Sequence, residues 1–378
     1  MKATLIIRNI GELATPRGAA AVKGDAMDKI ESVRDAAVAV DGERIAWAGP
    51  WKDLPAVEGS PQVLDARGKT VVPGFVDSHT HFVFGGYRDE EFLWRAAGVP
   101  YMEIHKRGGG IATSVRATRE ATTDGLKAIG HTRLVRMLEL GVTTVEGKSG
   151  YGLDLDTELR QLEVMAALDR EQAVDIVPTF MGMHSIPAEY KGNTGGYTDY
   201  VIEKVMPRVK AQGIARFCDI FCEKNVFELE DSRRYLEAAK AMGFSIKLHA
   251  DEIERIGGAG LAAELGAVSA DHLLKASPED LAAMGKAGVV ASCLPLTAFV
   301  LREPYADART MMASGCAVAL ASDLNPGSCY SQSVPLMIAI AVLHMGMSME
   351  AALTAVTLNG AAALGLAEIG RASCRERV

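Results

Sequence analysis

Two histidines separated by one residue are the first feature of this sequence that could carry out chemistry. Residues 77–81 read DSHTH and follow the apolar run TVVPGFV directly. At the edge of a strand, His79 and His81 would point two imidazoles to one side, as ligands of zinc or iron do. The pair alone is a weak signal, because solvated or capping histidines are common where a strand meets a loop. The metal hypothesis therefore depends on matching residues elsewhere in the chain.

From about residue 70 the sequence alternates apolar runs with longer amphipathic segments, which predicts strands that alternate with helices. We predict eight strands, at 71–76, 142–146, 174–180, 217–223, 244–249, 267–272, 288–294 and 317–322. The predicted helices include 115–140, 156–170, 228–242, 304–314, 332–345 and 349–365. Such a pattern is typical of an α/β fold with a closed (β/α)8 TIM-like barrel, whose sheet is buried on both faces. A doubly wound sheet gives a similar pattern, but no GxGxxG motif follows an early strand.

Barrel enzymes carry their chemistry at the C-terminal ends of the strands, where the loops converge. The predicted strand ends of this sequence carry the polar residues Asp77, His79, His81, Glu146, Lys148, Tyr151, His184, Glu223, His249, Glu252, His272, Asp323 and Asn325. A third imidazole and a carboxylate from distant strands would complete the ligand set that DSHTH begins. His249, His272 and Asp323 lie at matching strand ends, which favours the metal hypothesis. We assign no role to His105 or His131.

The two ends of the chain differ from the barrel region. Residues 1–65 contain the short β-rich runs ATLIIRN, AAVAV and RIAWAG, separated by the turn signals DGER and GP. This pattern predicts a small antiparallel sheet, which we interpret as the N-terminal part of a β-sandwich domain. Residues 66–365 would form the barrel with its trailing helices. Residues 366–378 end in GRASCRERV and show no apolar period, so we predict an irregular tail that is truncated or foreign.

Composition limits the classes of partner. The chain has 378 residues, of which 48% are apolar and 23% charged, as expected of a compact globular protein. Its net charge of −8 would repel nucleic acid and anionic membranes. The longest apolar stretch, SVPLMIAIAVLHMGM, falls short of the ~20 residues of a membrane helix, and the N-terminal apolar run is too short for a signal peptide. We predict a cytoplasmic protein that binds neither nucleic acid nor membrane.

Several motifs together resemble a known group of enzymes. The segments PGFVDSHTH, KLHADE, SADH, ASDLNPG and TLNGAAALGL occur in this order between residues 71 and 366. They resemble the amidohydrolase superfamily. The loop segments HTHFVFGGYRDEEF, RGGGI, EGKSGYGL, MGMHSIPAEY and SDLNPGS are most similar to its imidazolonepropionase family. Members of that family hydrolyse 4-imidazolone-5-propanoate to N-formimidoyl-L-glutamate in histidine degradation.

This resemblance implies a specific set of site residues. It implies one zinc or iron ion, with the ligands His79, His81, His249 and Asp323. It also implies contacts to the small-molecule substrate or product from Arg88, Tyr151, His184, Glu252, Asn325, Gly327 and Ser328, with His272 close to the metal. Two-metal relatives carry a bridging carboxylated lysine at a strand end, whereas Lys148 lies beyond Glu146, so we expect a mononuclear site. The family also completes its β-sandwich with strands after the NGAAALGL helix, and EIGRASCRERV supplies none, which would leave an exposed sheet edge.

The same residues suggest a mechanism for opening a cyclic amide. A metal lowers the pKa of bound water from ~16 to about 7. Asp323 would take the proton of that water, and His272 would help to stabilise the oxyanion. Glu252 would relay a proton to the leaving ring nitrogen, although the division of proton transfer between Glu252 and Asp323 stays open. A bidentate pair from Arg88, with Tyr151 as a hydroxyl partner, would hold the propanoate.

Two other functions remain open at this point. A deaminase of the guanine or cytosine type uses the same ligand set, but a neutral base gives Arg88 and Tyr151 no carboxylate to hold. A non-catalytic barrel that serves as a scaffold is the alternative from another class, and such proteins usually lose metal ligands. The sequence leaves the oligomeric state open, with a homodimer among the options.

Overall fold

The computed structural model describes residues 1–99, 103 and 109–367. Its strands form two sheets, a five-stranded sheet near the N-terminus and an eight-stranded sheet that follows it along the chain. No helix within the described ranges is both long enough and apolar enough to cross a membrane. His105 and the predicted tail from residue 368 onward lie outside the described residues.

The eight-stranded sheet is a parallel barrel whose strands follow one another in chain order. Its strands are β6 (Phe75–Asp77), β7 (Val142–Lys148), β8 (Asp175–Met183), β9 (Phe217–Cys222), β10 (Ser245–Ala250), β11 (Ser269–His272), β12 (Val290–Cys293) and β13 (Val318–Leu320). Nearly all of their side chains are buried, because one face packs on helices and the other fills the interior. The predicted barrel is therefore confirmed, and all but the first of its strands lie within a few residues of the predicted positions.

The barrel closes through the residues that follow its first and last strands. Thr80 and Leu324 form a parallel bridge between the segments that extend β6 and β13. The amide of His81 donates to the carbonyl of Leu324 at 2.8 Å, and the amide of Asp323 donates to the carbonyl of His79 at 3.0 Å. Closure therefore uses the backbone of the same residues whose side chains are candidate ligands.

The first predicted barrel strand, 71–76, was wrong in its first half. Thr70 and Val71 form β5 (Thr70–Val71), which pairs with β1 of the N-terminal sheet, and only Phe75–Asp77 join the barrel. Pro73 separates the two pieces because it has no N–H for a ladder. Gly74 then passes so close to the next strand that a Cβ there would lie 2.4 Å from Thr143 Oγ1.

The helices cover the outside of the barrel. Those formed by the described residues are α1 (Asp89–Ala96), α2 (Ile111–Glu120), α3 (Thr123–Glu139), α4 (Leu155–Glu171), α5 (Thr194–Tyr200), α6 (Met206–Gln212), α7 (Leu229–Ala241), α8 (Gly258–Leu265), α9 (Pro278–Ala287), α10 (Pro295–Leu301), α11 (Ala308–Ala313), α12 (Val334–His344), α13 (Met349–Ala355) and α14 (Leu358–Ala363). The helix predicted at 115–140 is two helices, because Thr122 caps α3 by accepting a hydrogen bond from the amide of Gly125. The segment predicted at 349–365 is likewise divided into α13 and α14.

The N-terminal sheet is mixed rather than antiparallel as predicted. It contains β1 (Leu5–Pro16), β2 (Ile30–Asp41), β3 (Arg44–Pro50), β4 (Gln62–Asp65) and β5. Strands β1, β2 and β3 pair antiparallel, whereas β4 and β5 lie on the other side of β1 and run parallel to it. The parallel pairs arise because the chain leaves β3 and crosses to the far edge of the sheet before it returns.

One segment between β1 and β2 packs directly on the barrel. The 3₁₀ turn Gly24–Asp28 buries the Met27 side chain in the core that surrounds the barrel. Just before it, the amide of Val22 donates to Asn359 Oδ1 at 2.8 Å, and Asn359 Nδ2 donates to the carbonyls of Val22 and Val318, each at 2.9 Å. Asn359 belongs to the TLNGAAALGL motif, so this part of the motif joins the N-terminal segment to the last barrel strand.

Candidate active site

A cavity of about 650 Å³ opens at the C-terminal ends of the barrel strands. Most of the residues singled out in the sequence line it, namely His81, Arg88, Tyr151, His184, His249, Glu252, His272, Asp323, Asn325 and Ser328. His79 lies beneath the cavity floor with no exposed surface in the described structure, and Gly327 lies against Arg88. The structure therefore brings these strand ends and loops together around one space.

The imidazoles form a compact cluster centred on His79. Its ring centroid lies 4.4 Å from that of His249 and 5.5 Å from those of His81 and His272. Among the described residues, three sets of three have potential ligand atoms within 4.8 Å of one another: His79 with His249 and His272, His79 with His81 and Asp323, and His79 with Glu146 and Asp271. The partners of His79 in the first two sets line the cavity, whereas Glu146 and Asp271 are fully buried and pair with lysines. Nitrogen and carboxylate ligands at this spacing can surround one metal ion.

The hydrogen bonds of the histidines leave the correct atoms available for a metal. His79 Nδ1 lies 2.6 Å from Asp271 Oδ2, and His249 Nδ1 lies 3.1 Å from Asp219 Oδ1. An ionised carboxylate only accepts, so each Nδ1 carries the proton and each Nε2 presents a lone pair. Among the described residues, the Nε2 atoms of His79 and His249 have no hydrogen-bond partner although both are buried. Burial also lowers the pKa of both imidazoles well below the usual value, which keeps them neutral as ligands.

Asp323 supplies the carboxylate of this cluster. Its Oδ1 lies 3.6 Å from His79 Nε2 and 3.7 Å from His81 Nε2, while its Oδ2 accepts a hydrogen bond from Thr297 Oγ1 at 2.6 Å. Burial raises the pKa of this carboxyl to about 7. The backbone of Asp323 is left-handed, with φ of 55°, which is the kind of local strain found at functional sites. The donor set as a whole fits a divalent cation.

Glu252 and His272 face each other beside the cluster. His272 Nδ1 lies 3.5 Å from Glu252 Oε1. Burial, and next the nearby Asp323, raise the pKa of Glu252 to about 8, whereas burial lowers the pKa of His272 to about 4. At neutral pH the pair is therefore a protonated carboxyl beside a neutral imidazole, which is suited to proton donation.

Two buried carboxylates fix the loop that carries Glu252. Asp251 accepts hydrogen bonds from four successive amides, those of Ile256, Gly257, Gly258 and Ala259. Glu223 accepts hydrogen bonds from the amides of Ile253 and Glu254 at 2.9 and 3.1 Å. The loop after β10 is therefore held by hydrogen bonds from six amides that follow Glu252, between residues 253 and 259, to two buried carboxylates.

Arg88 lies at another wall of the cavity. Its side chain is 12% exposed, and neither Nε nor Nη1 has a hydrogen-bond partner within the described ranges, although Nε lies 3.4 Å from Glu91 Oε1. Gly327 is required for this position, because a Cβ there would lie 1.4 Å from Arg88 Nη2. Asn325 holds the same loop, since its Oδ1 accepts from the amides of Gly327 and Ser328. A buried guanidinium with unused donors is suited to an anionic group.

Tyr151 and His184 depend on a buried carboxylate that sequence reasoning missed. Glu158 accepts hydrogen bonds from the amides on both sides of Tyr151, those of Gly150, Gly152 and Leu153, at 2.8–3.0 Å. The carbonyl of Gly150 in turn lies 3.1 Å from His184 Nδ1 and accepts its proton, so that His184 stacks on His81 with a defined tautomer. Burial raises the pKa of Tyr151, which keeps its hydroxyl protonated as a donor.

No role was assigned from the sequence to the buried charged side chains that lie below the histidine cluster. Glu146, Lys148, Asp219, Lys247 and Asp271 are fully buried and form an ion-pair network. We refer to these five residues as the charged floor. One signal was present: each is a charged residue inside or at the end of an otherwise apolar strand, where an isolated charge would be costly.

Comparison with known proteins shows which sequences this chain resembles over nearly its whole length. The model of the amidohydrolase family matches residues 70–372. The imidazolonepropionase of Parabacteroides distasonis is 52% identical over 376 residues, which cover 99% of this chain and 90% of that protein. Those of Phocaeicola vulgatus and Clostridium tetani are 53% and 52% identical, over 97% of this chain and 89% and 88% of theirs.

Solved structures share the fold at low sequence identity. An adenosine deaminase from Xanthomonas campestris with bound zinc has a TM-score of 0.66 and 17% identity, over 98% of this chain and 83% of that one. A zinc complex of atrazine chlorohydrolase from Arthrobacter aurescens has a TM-score of 0.67 and 16% identity, over 96% and 83% of the two chains. At this level of identity the likeness supports the barrel fold alone.

The geometry predicts which histidines retain metal. The His249→Ala variant should lose most of the metal that the wild-type protein retains after dialysis, because it removes a buried Nε2 lone pair from the cluster. His131→Ala is the matched control, since His131 is exposed on α3. Elemental analysis of the purified proteins measures the difference. Equal metal content in the two variants would contradict the ligand assignment.

Proposed function

This chain belongs to the amidohydrolase family, and we propose that it hydrolyses the cyclic amide of 4-imidazolone-5-propanoate to N-formimidoyl-L-glutamate in histidine degradation. The observation that carries the proposal is the presence, in one cavity, of a histidine and carboxylate cluster and a buried guanidinium with unused donors. Curated imidazolonepropionases that are 52–53% identical over nearly the whole chain support it. The chain is accordingly a metal-dependent hydrolase.

We assign one metal ion to the cluster, with His79, His81, His249 and Asp323 as its ligands. Zinc and iron both suit imidazole nitrogen with a carboxylate, so the ligand types allow either metal. When bound, the ion supplies Lewis-acid activation of water and of the amide carbonyl. The buried, unpartnered Nε2 atoms of His79 and His249 support this assignment, because such atoms are costly unless a partner occupies the site.

The remaining side chains divide the proton transfers. Asp323 would accept the proton of the attacking water at Oδ1, since Thr297 already occupies Oδ2. A protonated Glu252 faces His272 Nδ1, which leaves His272 Nε2–H to donate to the developing oxyanion. Glu252 would then give its proton to the leaving ring nitrogen. A carboxyl with a pKa of about 8 is well matched to a donor at neutral pH.

Arg88 would select the substrate by its propanoate. The Arg88 guanidinium lines the cavity, and an end-on pair through Nη1 and Nη2 would hold a carboxylate there, since Nη1 has no hydrogen-bond partner among the described residues. The hydroxyl of Tyr151 and the imidazole of His184 line the same cavity and would contact the ring or the chain of the substrate. This recognition disfavours a guanine-type or cytosine-type deaminase, because a neutral base has no carboxylate to pair with the Nη1 donor, which has no hydrogen-bond partner among the described residues. The complete candidate ligand set disfavours a non-catalytic scaffold.

The reaction itself is the first test. The purified chain, loaded with Zn²⁺ or Fe²⁺, should convert 4-imidazolone-5-propanoate to N-formimidoyl-L-glutamate with kcat/KM of at least about 10⁴ M⁻¹s⁻¹. Formation of the product can be followed by mass spectrometry, and chelation should abolish it. Release of ammonia from guanine or cytosine, without turnover of the imidazolone, would instead favour a deaminase.

The proposed pair between Arg88 and the substrate propanoate, which we call the carboxylate clamp, predicts that two variants raise KM. Arg88→Lys replaces the planar fork by a single ammonium, and Gly327→Ala places a methyl group where the guanidinium lies. Both should raise KM for the imidazolone about tenfold or more and change kcat much less, because they weaken binding away from the reacting bond. Arg136→Lys, on an exposed position of α3, is the control. An unchanged KM in both test variants would exclude the clamp.

The raised pKa of Glu252 predicts an alkaline decline in activity. The carboxyl is protonated below its pKa and loses its proton as the pH rises through about 8, so a step that needs the proton is fast below that pH and slow above it. A bound cation favours the carboxylate, which places the midpoint at or below 8. Glu252→Gln should lower kcat about 10²-fold to 10⁴-fold and remove this limb from the pH profile. An intact alkaline limb in the variant would assign it to another group.

A further inference from the structure

We propose that Lys148 is a positioning residue for the metal site, because its ammonium ties together the two carboxylates that orient His79 and His249. Lys148 lies at the end of β7, and no hydrogen bond joins its side chain to either imidazole among the described residues. It acts through Asp271, the partner of His79 Nδ1, and through Asp219, the partner of His249 Nδ1. The inference rests on the ligand assignment of the proposed function and extends it to residues that carry no ligand atom.

The distances place Lys148 between the two carboxylates. Its Nζ lies 2.5 Å from Asp219 Oδ2 and 3.6 Å from Asp271 Oδ2. The other oxygen of Asp219 faces His249, whereas Asp271 uses Oδ2 for both Lys148 and His79. A single ammonium therefore links two hydrogen bonds that come from different strands, β9 and β11, and end at different ligands.

The balance of charge shows why this link is needed. The charged floor contains three carboxylates and two lysines, which gives a formal charge of −1 in a space with no exposed surface. Without Lys148, Asp219 and Asp271 would be like charges held in a medium that screens them weakly. They would turn apart, and this change would remove the acceptor that fixes the Nδ1–H tautomer of a ligand histidine.

Lys247 gives a natural comparison within the same network. It is equally buried and contacts Glu146 Oε2 at 2.6 Å and the carbonyl of Ser78 at 3.1 Å. Its distance to Asp271 Oδ2 is 3.9 Å, at the limit of an ion pair, and no ion pair joins it to Asp219 among the described residues. Lys148 also contacts Glu146, at 3.0 Å. The two lysines therefore share Glu146 and differ in their contact with Asp219.

This difference allows a matched experiment. The double variants Lys148→Met/Glu146→Gln and Lys247→Met/Glu146→Gln change the same residue types and remove one positive and one negative charge each. Each loses one ion pair with Glu146, and the second also loses the contact of Lys247 with the carbonyl of Ser78. Only the first removes the link between Asp219 and Asp271. Zn²⁺ affinity is measured by competition with a chromogenic chelator, and the visible absorption spectrum of the Co²⁺-loaded proteins reports the geometry of the ligands.

We expect the Lys148 double variant to bind Zn²⁺ about 10-fold to 100-fold more weakly than the Lys247 double variant, with a changed Co²⁺ spectrum. Circular dichroism and thermal melting of the metal-free proteins separate this effect from general destabilisation. Equal Zn²⁺ affinities of the two double variants, or an unchanged Co²⁺ spectrum in the Lys148 double variant, would overturn the inference. The proposed function would stand in that case, provided that the wild-type protein binds Zn²⁺. Wild-type protein that bound no Zn²⁺ would overturn both.

A second variant covers the case in which the Lys148 double variant does not fold. Asp219→Asn keeps Lys148 and an oxygen acceptor for His249 but cancels the ion pair between residues 148 and 219. Weaker Zn²⁺ binding than in wild type, with the melting temperature of the metal-free protein preserved, supports the role of the link. Unchanged Zn²⁺ affinity of Asp219→Asn would overturn it.

Discussion

A buried histidine can bind a cation only if it is neutral and presents the correct nitrogen, and the barrel interior of this protein is arranged around that requirement. The Nδ1 atoms of His79 and His249 face Asp271 and Asp219, so their Nε2 atoms are left for a ligand. Burial alone would make the imidazoles neutral without fixing either tautomer. The carboxylates fix the tautomers, but they are charges without solvent and so need the buried lysines beside them. The chemistry at the cavity thus depends on a network one layer deeper in the barrel.

The loops around the cavity follow a common rule of construction. A buried carboxylate or amide side chain accepts hydrogen bonds from backbone amides of a loop that carries, or packs against, a residue that faces the cavity. Glu158 does this beside Tyr151, Asp251 and Glu223 beside Glu252, and Asn325 beside Arg88. Loops normally vary in conformation, but amides held by a desolvated acceptor have few alternatives. The recognition groups of the cavity are therefore carried by loops whose backbone is held by buried acceptors.

The sequence predicted those parts of the molecule that follow from a repeated pattern. Seven of the eight barrel strands could be found because apolar runs of similar length recur along the chain, and the candidate ligands lie at their ends. The strand at 71–76 was misplaced because the proline within this apolar run was not taken as a break, and because the pairing of Thr70 with β1 is decided by tertiary structure. The mixed N-terminal sheet was missed for the same reason, since strand direction depends on the path of the chain between strands.

The sequence indicated candidate site residues where side chains carry recognisable chemistry, and it did not indicate how buried side chains act on one another. The strand ends pointed to His79, His81, His249, His272 and Asp323 as candidates, and the family resemblance implied which four of them would be ligands. Asp219 and Lys247 could not be assigned partners, because a charge within an apolar strand indicates that a partner exists but not which one. Gly327 illustrates the same limit: its contact with Arg88 depends on the absence of a side chain, and no pattern in the sequence predicts which guanidinium lies there.

The position of the metal site at the junction of the first and last barrel strands gives it a structural role as well. The first and last strands meet at a short seam, where Thr80 bridges Leu324 and the amide of Ser322 donates to Asp77. His81 stands on one side of this seam and Asp323 on the other. A cation bound by both residues would cross-link the first and last strands of the barrel. In the unfolded chain the same cross-link would close the long loop between His81 and Asp323, and a cross-link restricts the conformational freedom of the unfolded chain more when the loop is longer. The metal site would therefore also stabilise the closed form of the barrel.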